Sequence, residues 1–228
     1  MAKLILTLSA NAGVSICFGG AKIWVDALHC DTVPGFSTID KRLLGKMLQS
    51  KAFMAPDVIC CTHCHGDHFS REMIDGAARM WQDAKVLLPE EQIIGDRFTY
   101  RVKGVEMEFL RLPHEGEQYR DVVHYGLLLT GEGKRVLLSG DCKRCAPELA
   151  EAVCGKRIDA AVLDFPWLTL KNGREFLRER LPARHYIGYH LPFAADDTNG
   201  FRRSAEKAAA ELNAILLKDP LQSVELEL

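Results

Sequence analysis

The stretch Thr62-His63-Cys64-His65-Gly66-Asp67-His68-Phe69 constrains the fold more than any other, because it sets three imidazoles and a carboxylate within six residues, between two regular segments. Ahead of it runs the apolar, strand-like Val58-Ile59-Cys60-Cys61; behind it Ser70-Arg71-Glu72-Met73 opens a helix-like stretch. Side chains this polar make a poor core, but they are the donors that metals of borderline softness bind. A loop leaving a strand end can converge them. His63 and His65 alternate toward one ion and, after a turn at Gly66, Asp67 and His68 reach a second. The bland reading is a surface histidine cluster, or a helix start in which Asp67 and Ser70 satisfy amide groups. An acid lodged between histidines at a strand-to-helix junction favours metal.

Around this segment the chain alternates between two periods. Runs of β-branched and apolar residues predict strands at 4–8, 14–18, 22–27, 57–62, 85–88, 105–112, 123–130, 135–139, 160–165 and 185–190. Helical patterning falls at 38–49, 70–82, 147–154, 173–180 and 200–217, clearest in the last, where Phe201, Ala205, Ala208, Leu212 and Ile215 recur near every 3.6 residues. Gly19-Gly20 and Gly131-Glu132-Gly133 supply hairpin turns. A β-meander followed by alternation predicts an α/β fold in four layers, two sheets face to face with helices outside. With 228 residues, 47% of them hydrophobic, and no low-complexity linker, residues 1–228 are expected to form one domain. A terminal alternation at 223–228 predicts an edge strand with two available partners, its own sheet or a second copy in a homo-oligomer.

Charge narrows the partners. The 29 basic and 31 acidic side chains are well mixed and give a net charge of -2, which disfavours nucleic acid and leaves a small-molecule substrate as the expected partner. The opening MAKLILTLSANAGVSICFGG lacks a cationic leader and a continuous apolar run, so a cytoplasmic protein without a membrane segment is expected. The eight cysteines, Cys17, Cys30, Cys60, Cys61, Cys64, Cys142, Cys145 and Cys154, are then expected to be reduced. Cys142 and Cys145 make a CxxC spacing, but a zinc ribbon needs a second such pair, so packing is preferred for Cys142.

Residues Thr62 to His68 resemble the HxHxDH signature of the metallo-β-lactamase superfamily, and further segments follow in that family's order. Asp26, closing Ile23-Trp24-Val25-Asp26, is similar to the aspartate that ends an early strand and supports the site from behind. Arg111-Leu112-Pro113-His114 resembles the third motif, Leu137-Leu138-Ser139-Gly140-Asp141 the Gly-Asp pair, and Tyr186-Ile187-Gly188-Tyr189-His190 the fifth. The resemblance implies a four-layer αββα sandwich. It assigns His63, His65 and His114 to a first ion, Asp67, His68 and His190 to a second, and Asp141 to the space between, with Asp67 and Asp141 in catalytic roles. His124 competes as a supporting or substrate-contacting residue against a plain strand histidine; His185 reads as a strand histidine and His29 as part of a loop.

The chemistry so implied is hydrolysis, since paired divalent ions lower the pKa of a water to about 7 and polarise the oxygen of an ester, lactone or phosphodiester. His65, where related di-iron flavoproteins carry glutamate, gives a nitrogen-rich site suited to zinc, with manganese or iron also compatible. The chain looks most like the small lactonase-like branch of the superfamily. Arg120, Lys143 and Arg144 are candidate anion-binding groups against a reading as solvated surface charge, and Trp167 either lines the pocket or packs. Two other readings stand beside this one: a phosphodiesterase or nuclease of the tRNA-maturation type, whose Gly- and Lys-rich arm is not visible here, and a metal-binding sensor with little turnover.

Overall fold

Successive side chains of a strand point to opposite faces, and this chain makes both faces apolar in most of its strands, so each sheet can be covered on both sides. In the computed structural model, which describes residues 2–31 and 33–228, the elements run β1 (Lys3–Leu8), β2 (Val14–Phe18), β3 (Ala21–Val25), α1 (Lys41–Gln49), β4 (Val58–Cys60), α2 (Arg71–Met80), β5 (Lys85–Leu87), β6 (Arg97–Val102), β7 (Val105–Arg111), β8 (Tyr125–Gly131), β9 (Lys134–Leu138), α3 (Pro147–Val153), β10 (Ile158–Asp164), α4 (Pro166–Thr169), α5 (Lys171–Glu179), β11 (Ala183–Tyr189), α6 (Phe201–Leu212), β12 (Ile215–Leu216) and β13 (Ser223–Glu227). They make a first sheet of order β13-β1-β2-β3-β4-β5 and a second of order β12-β11-β10-β9-β8-β7-β6.

Leu4, Leu6, Val14, Ile16, Ile23 and Val25 of the first sheet meet Leu127, Leu129, Val136, Leu138, Val162 and Ile187 of the second in one buried cluster. Residues one position out of phase face outward. Trp24 and Ile59 lie under Leu43 and Met47 of α1 and Ile74 and Ala77 of α2. Leu128, Leu137, Ala161 and Leu163 lie under Leu149 of α3, Trp167 of α4 and Phe176 of α5. The result is the expected α/β/β/α order of four layers. Trp167, fully buried and 5.4 Å from Phe176 between ring centroids, packs and does not line a pocket.

Several details depart from the sequence reading. Strand β6 was not anticipated: its burial alternates between exposed and half-buried along Arg97–Val102, so its apolar signal is thin. Helix α6 stops at Leu212, short of the expected 217, because Asn213 adopts a left-handed conformation with φ 52° and ends the helix as a C-terminal cap. Strand β13 pairs antiparallel with β1, from Lys3 opposite Glu227 to Thr7 opposite Ser223, so the terminal strand is taken up within its own sheet. No helix among the described residues is long and apolar enough to cross a membrane.

Candidate metal centre

The sites where strands end decide what the fold can do. Strands β3, β4 and β5 run parallel, as do β9, β10 and β11. The carboxyl ends of β3, β4, β7, β9, β10 and β11 lead directly into Asp26, the 61–69 loop, His114, Asp141, Asp164 and His190. The 61–69 loop is short and tightly determined. His68 and Phe69 both donate their amides to the His65 carbonyl, and Ser70 ends the loop by donating its own amide to Leu28 and capping α2 with its side chain at Met73. Gly66 is required by space: a Cβ there would lie 2.5 Å from the Asp31 carboxylate and 2.8 Å from its Cβ. At the two ends of the site the backbone is bent further, with Asp26 at φ 51° and His190 at φ 60°, conformations that L-residues adopt at a cost and that persist where surrounding contacts fix them.

Four histidines have their protons fixed from behind. Asp26 is fully buried and accepts from the Thr62 amide at 2.7 Å, the Thr62 hydroxyl at 2.7 Å and His68 Nδ1 at 3.0 Å. Because the Thr62 hydroxyl gives its proton to Asp26, its oxygen can only accept from His63 Nδ1, 2.9 Å away. His114 Nδ1 donates to the Glu115 carbonyl at 2.7 Å, and His190 Nδ1 to Asp164 at 3.3 Å. Each Nδ1 therefore carries a proton; in His63 and His114 this turns the Nε2 lone pair inward, while Nε2 of His68 and of His190 is directed at a carboxylate.

Those lone pairs meet each other. His63 Nε2 lies 3.3 Å from His114 Nε2 and 3.1 Å from His65 Nδ1. Nitrogens bound tetrahedrally at about 2.0 to 2.1 Å from one zinc sit about 3.3 Å apart. His68 Nε2, buried and without a hydrogen bond, lies 3.3 Å from Asp141 Oδ2; His190 Nε2 lies 3.4 Å from Asp67 Oδ2. Asp141 Oδ2 also comes within 3.8 Å of His114 Nε2, which places one carboxylate oxygen beside both halves of the cluster, while Asp141 Oδ1 is buried without a partner. The donor atoms fall into overlapping groups, His63, His65 and His114; His63, His68 and Asp141; Asp67, His68 and His190; Asp141, Asp164 and His190, each spanning no more than 4.8 Å. Facing lone pairs and orphaned acceptors fit a pair of bound cations.

The electrostatics show the same demand for positive charge. Burial works against a proton on His190, yet Asp141, Asp164 and Asp67 push it up to about 10, and Asp141 and Asp26 raise His68 well above the usual histidine range despite its burial. Asp67 is pulled the other way: burial raises it, but His190 and His68 outweigh that and hold it at about 2. His63, buried and facing His68, is driven well below the ordinary value.

The remaining sequence candidates fall in different places. His124 immediately precedes β8, is fully buried, holds the Leu112 carbonyl at 3.2 Å through Nδ1, and lies behind the ligands, 5.2 Å from His63 and 5.5 Å from His114 between ring centroids. Its Nε2 closes on Gly140, where a Cβ would approach to 2.6 Å. Arg120 is exposed and 3.6 Å from Asp121; Lys143 is half exposed and 3.3 Å from Glu117. Arg144 is the least exposed of the three basic candidates and is held by Glu115. Cys142 is buried, and burial pushes its thiol far up, so it packs; Cys64 and Cys145 are exposed. His29, read as part of a loop, is instead fully buried, contacts the Ala10 carbonyl at 3.3 Å, and is lowered by burial to about 4. Sequence reasoning missed three residues at the site: Asp164 behind His190, Phe36 stacked on His190 at 4.6 Å, and Tyr119 against His65 and His114. Asp164 carried a usable signal, a carboxylate closing an apolar strand as Asp26 does.

No protein-family model and no curated protein sequence matches the chain. Solved structures do. The metallo-β-lactamase fold protein YhfI from Bacillus subtilis superposes with a TM-score of 0.66 at 12% identity over 99% of both chains. The chain has the metallo-β-lactamase fold. A diphosphatase from the PhnP family matches with a TM-score of 0.60 at 16% identity over 100% of this chain and 98% of its own. CmlA, a diiron β-hydroxylase from Streptomyces venezuelae, matches with a TM-score of 0.63 at 13% identity over 99% of this chain, which spans only 54% of CmlA. At these identities the likeness is one of fold.

Proposed function

We propose that the chain is a metal-dependent hydrolase that holds two divalent ions, zinc foremost with manganese or iron compatible, and cleaves an ester, lactone or phosphodiester bond of a small anionic substrate. The observation that carries this reading is the 3.3 Å approach of His63 Nε2 and His114 Nε2, two nitrogens whose protons are committed elsewhere and which come from different sheets. His63, His65 and His114 would hold one ion, Asp67, His68 and His190 the other, and Asp141 would reach both. When bound, the ions supply a water of lowered pKa and a Lewis acid for the substrate oxygen.

The chain's own residues do the rest. Asp26, Glu115 and Asp164 fix the ring orientations of His68, His114 and His190, and Asp26 acts on His63 through Thr62. Asp67, largely buried and ionised, offers an oxygen to a water at the edge of the second group and can orient it by accepting a hydrogen bond. The near-neutral charge favours a small molecule over nucleic acid. A small lactonase-like, cytoplasmic enzyme is the finer reading.

Metal analysis tests the central claim. Purified protein loaded with zinc, manganese or iron is expected to retain close to two equivalents, and a protein that holds none of the three overturns the proposal. Iron belongs in that set because CmlA is named as a diiron protein. Replacing Asp141 by Ala is expected to cut turnover by about a hundredfold or more, of the order seen when a group that stabilises the transition state is removed, with the fold retained by circular dichroism. A panel of lactones, sugar phosphates and aryl phosphodiesters reads the substrate; the phosphorus arm is included because one structural neighbour is named a diphosphatase. Turnover only of RNA would replace the small-molecule reading by the nuclease one, and two bound metals with silence on every substrate would favour the sensor.

A further inference from the structure

Tyr119 is a large apolar residue left 39% exposed on a short turn, Glu117–Tyr119, that buries none of its own residues. Its ring nevertheless borders the candidate centre. The Tyr119 centroid is 4.8 Å from His65 at 60° and 4.9 Å from His114 at 61°, edge contacts to two members of the first ligand group. His114, whose ring is held through Nδ1, and the half-buried His65 thus border a third ring that stays 39% exposed. The turn is closed on itself: Gly116 adopts φ 93°, Tyr119 donates its amide to the Gly116 carbonyl, and Val122 donates its amide to the Tyr119 carbonyl.

The second ligand group is bordered in a similar way. Phe36 stacks on His190 at 4.6 Å and 28°, and the next residue is held by four hydrogen bonds. Asn11 Nδ2 donates to the Ser37 carbonyl at 2.5 Å, the Ser37 amide to Asn11 Oδ1 at 2.9 Å, the Ser37 hydroxyl to Asp196 at 2.6 Å, and the Phe193 amide to that hydroxyl at 2.7 Å. An aromatic ring therefore adjoins each end of the donor set, Phe36 beside a pinned residue and Tyr119 on a short turn. Phe36 lies nearly parallel to His190, whereas Tyr119 is inclined at about 60° to both of its histidines and stays 39% exposed.

We propose that Tyr119 is a specificity-determining residue that stacks against a planar aryl or heteroaryl group of the substrate, carried next to the bond that the two-ion centre cleaves. The inference rests on the hydrolase reading for the presence of the ions. Its chemistry is separate: a flat group placed one or two bonds from an oxyanion near His65 and His114 comes within reach of the Tyr119 ring, and offset or edge-to-face pairing follows. The ring and not the hydroxyl does the recognition.

The test compares two phosphonates of equal anionic chemistry, phenylphosphonate and methylphosphonate, by calorimetric titration of the metal-loaded protein, with metal content measured for every variant. The intact protein is expected to bind the phenyl compound about three- to tenfold more tightly than the methyl one, the range that aromatic pairing supplies. Tyr119→Phe and Tyr119→Trp should keep that ratio, and Tyr119→Ala should bring it near one. Tyr119→Leu preserves bulk against His65 and His114 while removing the π face, and should also lose the preference. An unchanged ratio in Tyr119→Ala or Tyr119→Leu with two metals bound overturns the proposal and leaves the hydrolase reading intact. Failure to bind metal overturns both readings; metal-loaded protein that binds neither phosphonate, or both equally, overturns the Tyr119 proposal alone.

Discussion

Asp26 carries more of the site than its position outside the ligand set suggests. One buried carboxylate accepts three hydrogen bonds, two from Thr62 and one from His68, and through the Thr62 hydroxyl it also fixes the tautomer of His63. Asp26→Asn keeps the shape but replaces an acceptor with a donor, so that an amide nitrogen faces either the Thr62 N–H or the Thr62 hydroxyl and His68 together. Loss of such a partner typically weakens metal binding about 10- to 100-fold, and competition against a chelator should show that loss with little change in the circular dichroism; an unaltered affinity would detach Asp26 from the centre. Asp26 was legible because Ile23-Trp24-Val25-Asp26 resembles the family motif in which an aspartate ends an early strand. Asp164 closes Val162-Leu163 in the same way and was passed over, because the letters show that a strand ends in an acid but not that His190 stands opposite it. His29 failed in the other direction. Its loop context gave no hint that packing buries it completely.

At the scale of elements, the second sheet is pinned at its far end by an acid with no part in the site. Asp159, its side chain 3% exposed at the start of β10, accepts from the Arg135 amide at 3.0 Å and Lys134 Nζ at 3.2 Å, both in β9. Burial pushes its carboxyl up, but those two donors and nearby Arg157 outweigh it and hold the value below the ordinary range. A carboxyl depressed in the folded state stabilises the fold above its unfolded value of about 3.9 and loses that contribution as pH falls through the folded value. Asp159→Asn should therefore flatten the fall in Tm on acidification below about pH 4, and a melting series in which mutant and parent fall in parallel would contradict it. Gly66→Ala should destabilise by about 1 to 3 kcal/mol, because the added Cβ meets the side chain of Asp31; denaturant unfolding reads the change. The elements that the sequence revealed are those with two apolar faces, such as β1, β4 and β10. Strand β6 was hidden because it is an edge strand with Arg97 and Arg101 exposed, so the pairing with β7, and not its own hydrophobicity, holds it. In α6 the period of Ile215 misled, while Asn213, whose side chain tolerates the left-handed region, was the stop signal.

Across the whole molecule, the candidate ligands divide between the sheets. The first sheet supplies Asp26 and the loop bearing His63, His65, Asp67 and His68; the second supplies His114, Asp141, Asp164 and His190. The apolar cluster between the sheets joins them through their inner faces, while at the strand ends the inner space is filled by facing nitrogens and carboxylates. Cations bound there would cross-link the two sheets and relieve repulsion in the same step, so that metal affinity and folding stability are linked. A ligand present at about a thousand times its dissociation constant stabilises the folded state by about 4 kcal/mol, and in a chain of this size each kcal/mol moves Tm by about 2 to 4 °C. Treating loaded protein with excess chelator should then lower Tm by about 10 °C, and restoring the metal should recover it. The shift should shrink in Asp26→Asn, whose weaker binding leaves less stability to remove, and shrink further in a His63→Ala, His114→Ala double variant, which removes two of the three donors of the first group and leaves the second. A chelator-insensitive melt in the parent protein would mean that the two sheets hold together without help at this edge, and would count against the cation proposed between the facing lone pairs of His63 and His114.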